Sequence, residues 1–162
     1  MTEPQTTAGV IAPPPLLVLA AVLLGLALDW LLPAYVLTVL LDLSERIVIG
    51  VILFGAGAAL AIPAIVTFRA AGTHVEPWKP STALVTAGVF GWVRNPMYVG
   101  MILGVAGIAM ALASDWMMVM AILLALVLHF GVVKREERYL AAKFGDAYRL
   151  YMKSVPRYGL PF

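Results

Sequence analysis

Four apolar runs, separated by short polar segments, dominate the chain. A helix that crosses the hydrocarbon core of a bilayer needs ~20 apolar residues, with ~17 as a lower limit. The runs cover residues 14–32, 47–68, 97–114 and 116–133. Because none of them holds more than one charged residue, the pattern predicts an all-α integral membrane protein with about four transmembrane helices. Residues 1–162 are predicted to form a single membrane domain.

A brief polar break and a charged final segment refine this picture. Asp115 alone separates the third run from the fourth, which predicts a helical hairpin with Ser114 or Asp115 capping its second helix. The segment 134–162 is rich in charge and carries large apolar side chains at helical spacing. These are Tyr139, Leu140, Phe144, Tyr148 and Tyr151. We therefore expect an amphipathic C-terminal helix outside the membrane.

The amino-acid composition also indicates a protein whose surface is largely in contact with lipid. Hydrophobic residues make up 62% of the chain and charged residues 12%, whereas soluble domains are about half apolar and a quarter charged. The chain has no cysteine and two distant histidines. Disulfides and thiolate nucleophiles are thus excluded, no metal site is predicted, and nothing suggests a nucleic-acid partner.

Basic residues predict the orientation in the membrane. Arg69, Lys79 and Arg94 lie between the second and third runs, and seven more Lys or Arg follow residue 133, whereas Arg46 alone lies in the connections on the other side. By the positive-inside rule, both termini and the long connection face the cytosol. We expect a protein of a bacterial or archaeal inner membrane, surrounded by membrane lipids and of undetermined oligomeric state.

The segment 94–98 is the first candidate for chemistry. Arg94 is a permanent cation with a planar set of donors that suits a carboxylate or phosphate. Asn95 offers a donor and an acceptor, and Pro96 can begin a helix whose first N–H groups stay free. A plain alternative is an arginine that extends toward water beside a helix-starting proline. The sequence leaves both interpretations open.

Glu136, Glu137 and His129 are the second candidate. The two carboxylates follow a membrane span directly, where ionisable groups are costly. They belong either to a solvated, ion-paired helix or to a site in which a carboxylate meets an amine or Arg94. His129 precedes Glu136 by seven residues, which predicts one shared helix face. It could act as a general base or form an interhelical hydrogen bond.

Five short motifs in a fixed order carry a resemblance to a known family. They are Leu84-Val85-Thr86-x-Gly88, Arg94-x-Pro96-x-Tyr98-x-Gly100, Glu136-Glu137, Phe144-Gly145-x-x-Tyr148-x-x-Tyr151 and Val155-Pro156. This set, within residues 72–162, resembles the isoprenylcysteine carboxyl methyltransferase family and its phospholipid N-methyltransferase relatives. The resemblance implies an integral membrane enzyme that uses S-adenosylmethionine, yields S-adenosylhomocysteine and needs no metal.

The resemblance also implies roles for individual residues. The cofactor pocket would be lined by Thr82, Ala83, Leu84, Val85 and Phe90, bracketed by Asn95, Pro96, Met97 and Tyr98, and completed by Glu136 and Glu137. Arg94, Tyr98 and Glu136 would be the catalytic group, with Arg94 orienting the turn. A lipid-like acceptor would enter sideways from the bilayer. Val132 and His129 would belong to the part of the site that binds this acceptor.

Three departures from the family pattern bear on the acceptor. The family often has His where Asn95 stands and Tyr where Phe90 stands. Its carboxyl methyltransferases carry Arg four residues before the first Glu of the pair, where this chain has Val132. An acceptor carboxylate would need that cation. The acceptor thus stays open among a prenylated thioether acid, an amino-headgroup lipid and a small lipophilic thiol or amine. A non-catalytic membrane scaffold is the alternative from another class.

Overall fold

A computed structural model describes residues 7–159. The predictions for residues 1–6 and 160–162, the two ends of the predicted domain, lie outside the described residues. The regular elements are all helical, which confirms the all-α prediction. The α-helices are α1 (Pro14–Leu31), α2 (Val36–Leu40), α3 (Leu43–Ala70), α4 (Pro96–Leu112), α5 (Asp115–Leu128) and α6 (Lys134–Ser154). A 3₁₀ turn covers Gly88–Gly91 and a π-helical turn covers His129–Val133.

The predicted spans coincide with long apolar helices. Within the described residues, three helices are long and apolar enough to cross a membrane: α1, α3 and the continuous helix Asp115–Ser154. The apolar α4, with 17 residues, is at the lower limit of length. Helix α3 begins earlier than its apolar run, because Asp42 and Glu45 form a capping box that satisfies the first backbone N–H groups.

Glycines bring α3 and α4 into direct backbone contact. A Cβ atom added at Gly57 would lie 2.7 Å from the carbonyl oxygen of Gly100, and one at Gly50 would lie 2.7 Å from that of Gly107. Such close approach is how membrane helices pack without a hydrophobic driving force. Helices α3 and α4 therefore pack backbone against backbone at these glycines. Gly55 contributes nothing to this packing, because a Cβ there would meet no atom within 4 Å.

Hydrogen bonds close the end of the bundle that holds the α4–α5 turn, hereafter the hairpin end. Ser114 caps α5, as predicted, and its hydroxyl also bonds the carboxylate of Asp29 in α1. Asp115 accepts from the backbone N–H groups of Val36 (2.9 Å) and Leu37 (3.0 Å) at the start of α2. Asp29, Asp115 and Asp42 thus each accept from backbone N–H groups at a helix terminus of this end.

The π-helical turn lies where the last span leaves the bundle. The N-terminal segment packs against it: Ile11 N–H donates to the carbonyl of Gly131 (3.2 Å), and the Ile11 side chain occupies the space that a Cβ at Gly131 would need. Arg135 donates to the carbonyl of Gly9 (2.9 Å). The wider turn shifts the phase of α6 relative to α5, and this shift decides which side chains share a cavity.

The amphipathic C-terminal helix is confirmed, with one change of direction. Tyr139, Tyr148 and Tyr151 are buried, as the spacing predicts. The helix is interrupted at Gly145, whose φ of 57° lies in a region that glycine adopts without a steric penalty. The second half of α6 can therefore turn back over the end of the bundle opposite the hairpin end, hereafter the pocket end.

Candidate active site

A pocket lies at the pocket end, between the loop 71–95, the start of α4 and helix α6. It encloses about 590 Å³ of atom-free space, part of it continuous with solvent. Its walls are Phe68, Ser81, Ala83, Leu84, Val85, Phe90, Arg94, Asn95, Pro96, Met97, Tyr98, Glu136, Glu137, Leu140, Tyr148 and Tyr151. The structure thus brings together eleven of the fourteen side chains to which the resemblance gives a place in the site, and these eleven include Arg94, Tyr98 and Glu136.

Thr82, Val132 and His129 are the predicted site residues that the structure places outside this pocket. Thr82 faces the loop, where its hydroxyl donates to the carbonyl of Gly72 (3.1 Å). Val132 is fully buried in the core of the bundle. His129 lines a separate groove, so the prediction that it shares a helix face with Glu136 is wrong. The π-helical turn between the two residues changes the helical phase.

The start of α4 contributes its backbone to the pocket. Pro96 occupies the first helical turn, and no side chain caps this end of the helix. The first N–H groups of α4 are therefore left for another partner, next to the positive end of the helix dipole. Since Pro96, Met97 and Tyr98 all line the pocket, this end of α4 is suited to bind an anionic group.

Glu136 is held by one hydrogen bond and directed at the pocket. The buried Tyr98 hydroxyl donates to its Oε2 at 2.8 Å. Within residues 7–159, its Oε1 has no hydrogen-bond partner. A carboxylate oxygen in this position can accept from a bound ammonium or hydroxyl group.

Glu137 has a different environment, because two guanidinium groups already bind it. Arg94 Nη1 donates to its Oε1 at 2.7 Å, and Arg157 donates to Oε1 through Nε (2.9 Å) and to Oε2 through Nη2 (2.8 Å). The bonds to Glu137 raise the pKa of Arg157 above its usual value. Glu137 therefore ties the segment before α4 to α6 and to the C-terminal segment.

Two further bonds strengthen this connection. Arg94 N–H donates to the carbonyl of Pro156 (3.0 Å), and Asn95 Nδ2 donates to the carbonyl of Arg157 (3.2 Å). The Nε of Arg94 is buried and, in the described part of the chain, has no partner. A buried donor of this kind usually has a ligand or water as its partner.

Aromatic residues of α6 form the wall that the sequence analysis did not assign to the site. The Tyr151 hydroxyl donates to the carbonyl of Phe90 at 2.6 Å, and Tyr139 accepts from the N–H of Ser81 at 3.1 Å. These bonds hold the loop 71–95 over the pocket. The spacing of Tyr148 and Tyr151 already indicated a buried face, but it did not distinguish a pocket wall from packing.

A second cavity opens between α4 and α5. This groove, of about 910 Å³ including its open side, is lined by Val99, Ile102, Leu103, Ala125, Leu126, His129, Phe130 and Tyr158. Leu126 and Phe130 are more than half exposed, so the groove faces the lipid. His129 Nδ1 lies 2.7 Å from the Tyr158 hydroxyl.

The fold and the pocket define an integral membrane protein with a polar ligand pocket where its helices meet water. A sequence model of the phospholipid methyltransferase family matches residues 45–147, which include the start of α4 and both glutamates. The chain belongs to this family, and the resemblance noted in the sequence is confirmed.

Two relatives carry the name protein-S-isoprenylcysteine O-methyltransferase. The protein of Schizosaccharomyces pombe is 41% identical over 81 residues, which are 48% of this chain and 33% of the relative. The protein of Xenopus laevis is 33% identical over 117 residues, 71% of this chain and 40% of the relative. The matches thus span less than half the length of either relative. No solved structure matches the chain.

Proposed function

We propose that this protein transfers a methyl group from S-adenosylmethionine to a hydrophobic or lipid-like acceptor at the boundary between membrane and cytosol. One observation carries the proposal. The Glu136 carboxylate, the Arg94 guanidinium and the uncapped start of α4 meet in one pocket, within the segment that matches the methyltransferase family.

The donor groups of the pocket fit the polar parts of S-adenosylmethionine. Glu136 can accept from the ammonium group or from a ribose hydroxyl, while the free N–H groups of α4 and Arg94 Nε can bind the carboxylate. Phe90 and Tyr148 offer apolar and aromatic surface to the adenine. When bound, the cofactor supplies a methyl group on a positively charged sulfonium.

The residues of the chain would act chiefly by positioning. Methyl transfer requires the acceptor atom to lie in line with the bond that breaks, and orientation of this kind is worth several kcal/mol. The loop 71–95, held by Tyr139 and Tyr151, excludes water from one side. A dry site favours a reaction in which a sulfonium cation becomes neutral.

The groove between α4 and α5 is the route by which an apolar acceptor would reach the pocket. Val99 of the groove follows Tyr98 of the pocket, and Tyr158 follows Arg157, which binds Glu137. With both termini and the loop 71–95 in the cytosol of a bacterial or archaeal cell, the cofactor would enter from water and the acceptor from lipid.

Calorimetric binding of S-adenosylhomocysteine to the detergent-purified protein tests the proposal. We expect micromolar affinity, lost in Glu136→Ala because the ligand loses its carboxylate partner. Asp146→Ala is the matched control: it removes a carboxylate from the same helix, but that side chain is 88% exposed and pairs with Arg149. Absence of binding to the folded wild-type protein, in lipid as well as detergent, would instead support a non-catalytic scaffold.

A further inference from the structure

A third groove, hereafter the basic groove, lies where the last span continues into α6. It encloses about 830 Å³ of atom-free space, including its open side, and three of its lining side chains are cations: Lys134, Arg138 and Arg157. Among the described residues that line it, Glu137 is the only acidic one and the only one that also lines the candidate active site. Arg94 and Arg157 both bind Glu137, so this ion cluster keeps one positive charge. The basic groove is therefore a separate site with an excess of cations.

The first turns of α6 separate acidic side chains from basic ones. Lys134 and Arg138 are four residues apart, which places them on one helix face, and both are exposed. Glu136 and Glu137 lie between them in the sequence but point inward, where Glu136 bonds Tyr98 and Glu137 bonds the two arginines. Within residues 7–159, neither Lys134 nor Arg138 takes part in an ion pair. The outward face of this helix start thus carries positive charge that is not neutralised.

Each of the three cations keeps donors for a ligand. Lys134 Nζ lies 5.0 Å from the centroid of the Phe130 ring. Arg138 uses Nε for the carbonyl of Lys134 (3.3 Å), and Arg157 uses Nε and Nη2 for Glu137. The Lys134 ammonium, both Nη groups of Arg138 and Nη1 of Arg157 have no hydrogen-bond partner in the described part of the chain. Ammonium and guanidinium donors of this kind suit the oxygens of a phosphate group.

An apolar strip leads from the basic groove along α5. Ile122, Leu126 and Phe130 follow one another at intervals of four residues, which places them on one helix face, and each is more than half exposed. Phe130 lines the basic groove, and Leu126 and Phe130 also border the groove between α4 and α5. A ligand that joins a phosphate to an acyl chain would meet cations at the boundary with water and apolar side chains below it. A free phosphate would gain nothing from the strip.

We propose that the basic groove binds the phosphate headgroup of an anionic phospholipid of the cytosolic leaflet, retained beside the protein and distinct from the methyl acceptor. The excess of basic residues at the pocket end predicts that this end faces the cytosol, and basic pockets on the cytosolic side of membrane helices bind anionic headgroups. The headgroup lies between Lys134, Arg138 and Arg157, and an acyl chain follows Phe130 and Leu126. The site needs neither cofactor nor methyl transfer, so the inference goes beyond the proposed function.

Native mass spectrometry of the detergent-purified protein, at an ionic strength of about 0.15 M that screens distant charges, measures the affinity. The probes are dioleoyl phosphatidylglycerol, which carries a net negative charge, and dioleoyl phosphatidylcholine, which has the same chains and no net charge. Each cation near a membrane surface contributes roughly 5-fold to the affinity for an anionic lipid. With three cations in the groove, we expect the wild-type protein to bind phosphatidylglycerol at least ~10-fold more tightly.

Two double variants separate a site from diffuse surface charge. Lys134→Gln/Arg138→Gln removes two cations of the basic groove. Arg149→Gln/Lys153→Gln is the matched control, because it removes two exposed cations of the same helix that do not line the groove. The net charge changes equally in both. We expect the first variant to weaken phosphatidylglycerol binding ~25-fold, the product of two contributions of about 5-fold, and the control to weaken it less than ~3-fold. Circular dichroism should show wild-type helix content in both.

Three outcomes would overturn the inference. Equal affinity of the wild-type protein for the two lipids would do so, and this comparison does not depend on the folding of a variant. Equal losses in the two double variants would mean diffuse attraction rather than a site. Displacement of phosphatidylglycerol by an equal concentration of inorganic phosphate would make the ligand a soluble phosphate. A protein that selects phosphatidylglycerol but does not bind S-adenosylhomocysteine would contradict the proposed function alone.

Discussion

Glu137 lies between two arginines. Because the charges are paired, removal of Glu137 should change the free energy of unfolding by a measurable amount. Its side chain and that of Arg94 are 11% and 9% exposed, so removal of one partner leaves a buried charge without compensation. Loss of a buried partner typically costs about 3–5 kcal/mol. We expect Glu137→Ala to lower the free energy of unfolding, measured by denaturation in detergent, by about this amount.

A double-mutant cycle gives the control for this prediction. In Arg94→Ala/Glu137→Ala both buried charges are absent, so the double variant should lose less stability than the two single variants together. Strictly additive losses would mean that the ion pair does not couple the segment before α4 to α6.

The Tyr98 hydroxyl orients the Glu136 carboxylate. We expect its loss to change ligand affinity rather than the free energy of unfolding. The hydroxyl donates to Oε2 at 2.8 Å, and a hydrogen bond to a charged group is worth about 1.5–3 kcal/mol. Tyr98→Phe should therefore weaken S-adenosylhomocysteine binding ~10-fold in calorimetry, while the protein stays folded. Tyr35→Phe, at an exposed tyrosine of the hairpin end, is the control. Equal affinity in both variants would contradict a role for this bond.

At the level of single residues, Arg94 and Glu136 stand out in the sequence because polar groups beside apolar spans are costly, and the family resemblance adds Tyr98. The structure places all three in one pocket, and their roles in binding and catalysis stay predictions. That Arg94 pairs with Glu137 rather than with Glu136 depends on the direction of α6, which no local pattern contains. Arg157 was not predicted at all, because it follows the last helix and approaches Glu137 only when the C-terminal segment folds back.

At the level of elements, the sequence predicted where the helices lie. It did not predict the rotation of α6 relative to α5 about the helix axis. Long apolar runs fix where the spans lie, because the thickness of the bilayer fixes their length. The π-helical turn at His129–Val133 breaks the assumption of 3.6 residues per turn that placed His129 and Glu136 on one face. A tertiary contact accompanies this turn: Ile11 N–H donates to the carbonyl of Gly131, and the Ile11 side chain packs against that glycine.

The contact between α3 and α4 can be tested with a matched pair of glycine variants. Gly57→Ala places a methyl group 2.7 Å from the Gly100 carbonyl oxygen, so the helices must separate, whereas Gly55→Ala meets no atom within 4 Å. Overpacking of this kind costs about 1–3 kcal/mol. We expect Gly57→Ala to lower the thermal midpoint in detergent by several degrees and Gly55→Ala to leave it unchanged or raise it. Equal midpoints would mean that the two helices do not pack through Gly57.

At the level of the whole molecule, the polar residues at the two ends of the bundle have different roles. At the hairpin end, Asp29 and Asp115 accept from backbone N–H groups at helix termini, and Arg46 donates through Nε to the carbonyl of Asp42 (3.3 Å). At the pocket end, Glu136 and Arg94 each keep a polar atom that has no partner among residues 7–159. The proposed use of S-adenosylmethionine requires the pocket end to face the cytosol, where this cofactor is found.

The absence of cysteine from the sequence makes this orientation directly measurable. Reporters are provided by single cysteines in a background that has no other cysteine. Lys79 and Arg149 are exposed at the pocket end, and Thr38 is exposed at the hairpin end. In intact cells, a membrane-impermeant maleimide should label Thr38→Cys and spare Lys79→Cys and Arg149→Cys. In inverted membrane vesicles the pattern should reverse. Labelling of Arg149→Cys from outside intact cells would place the pocket on the outer surface, away from the cofactor supply, and would contradict the proposed arrangement.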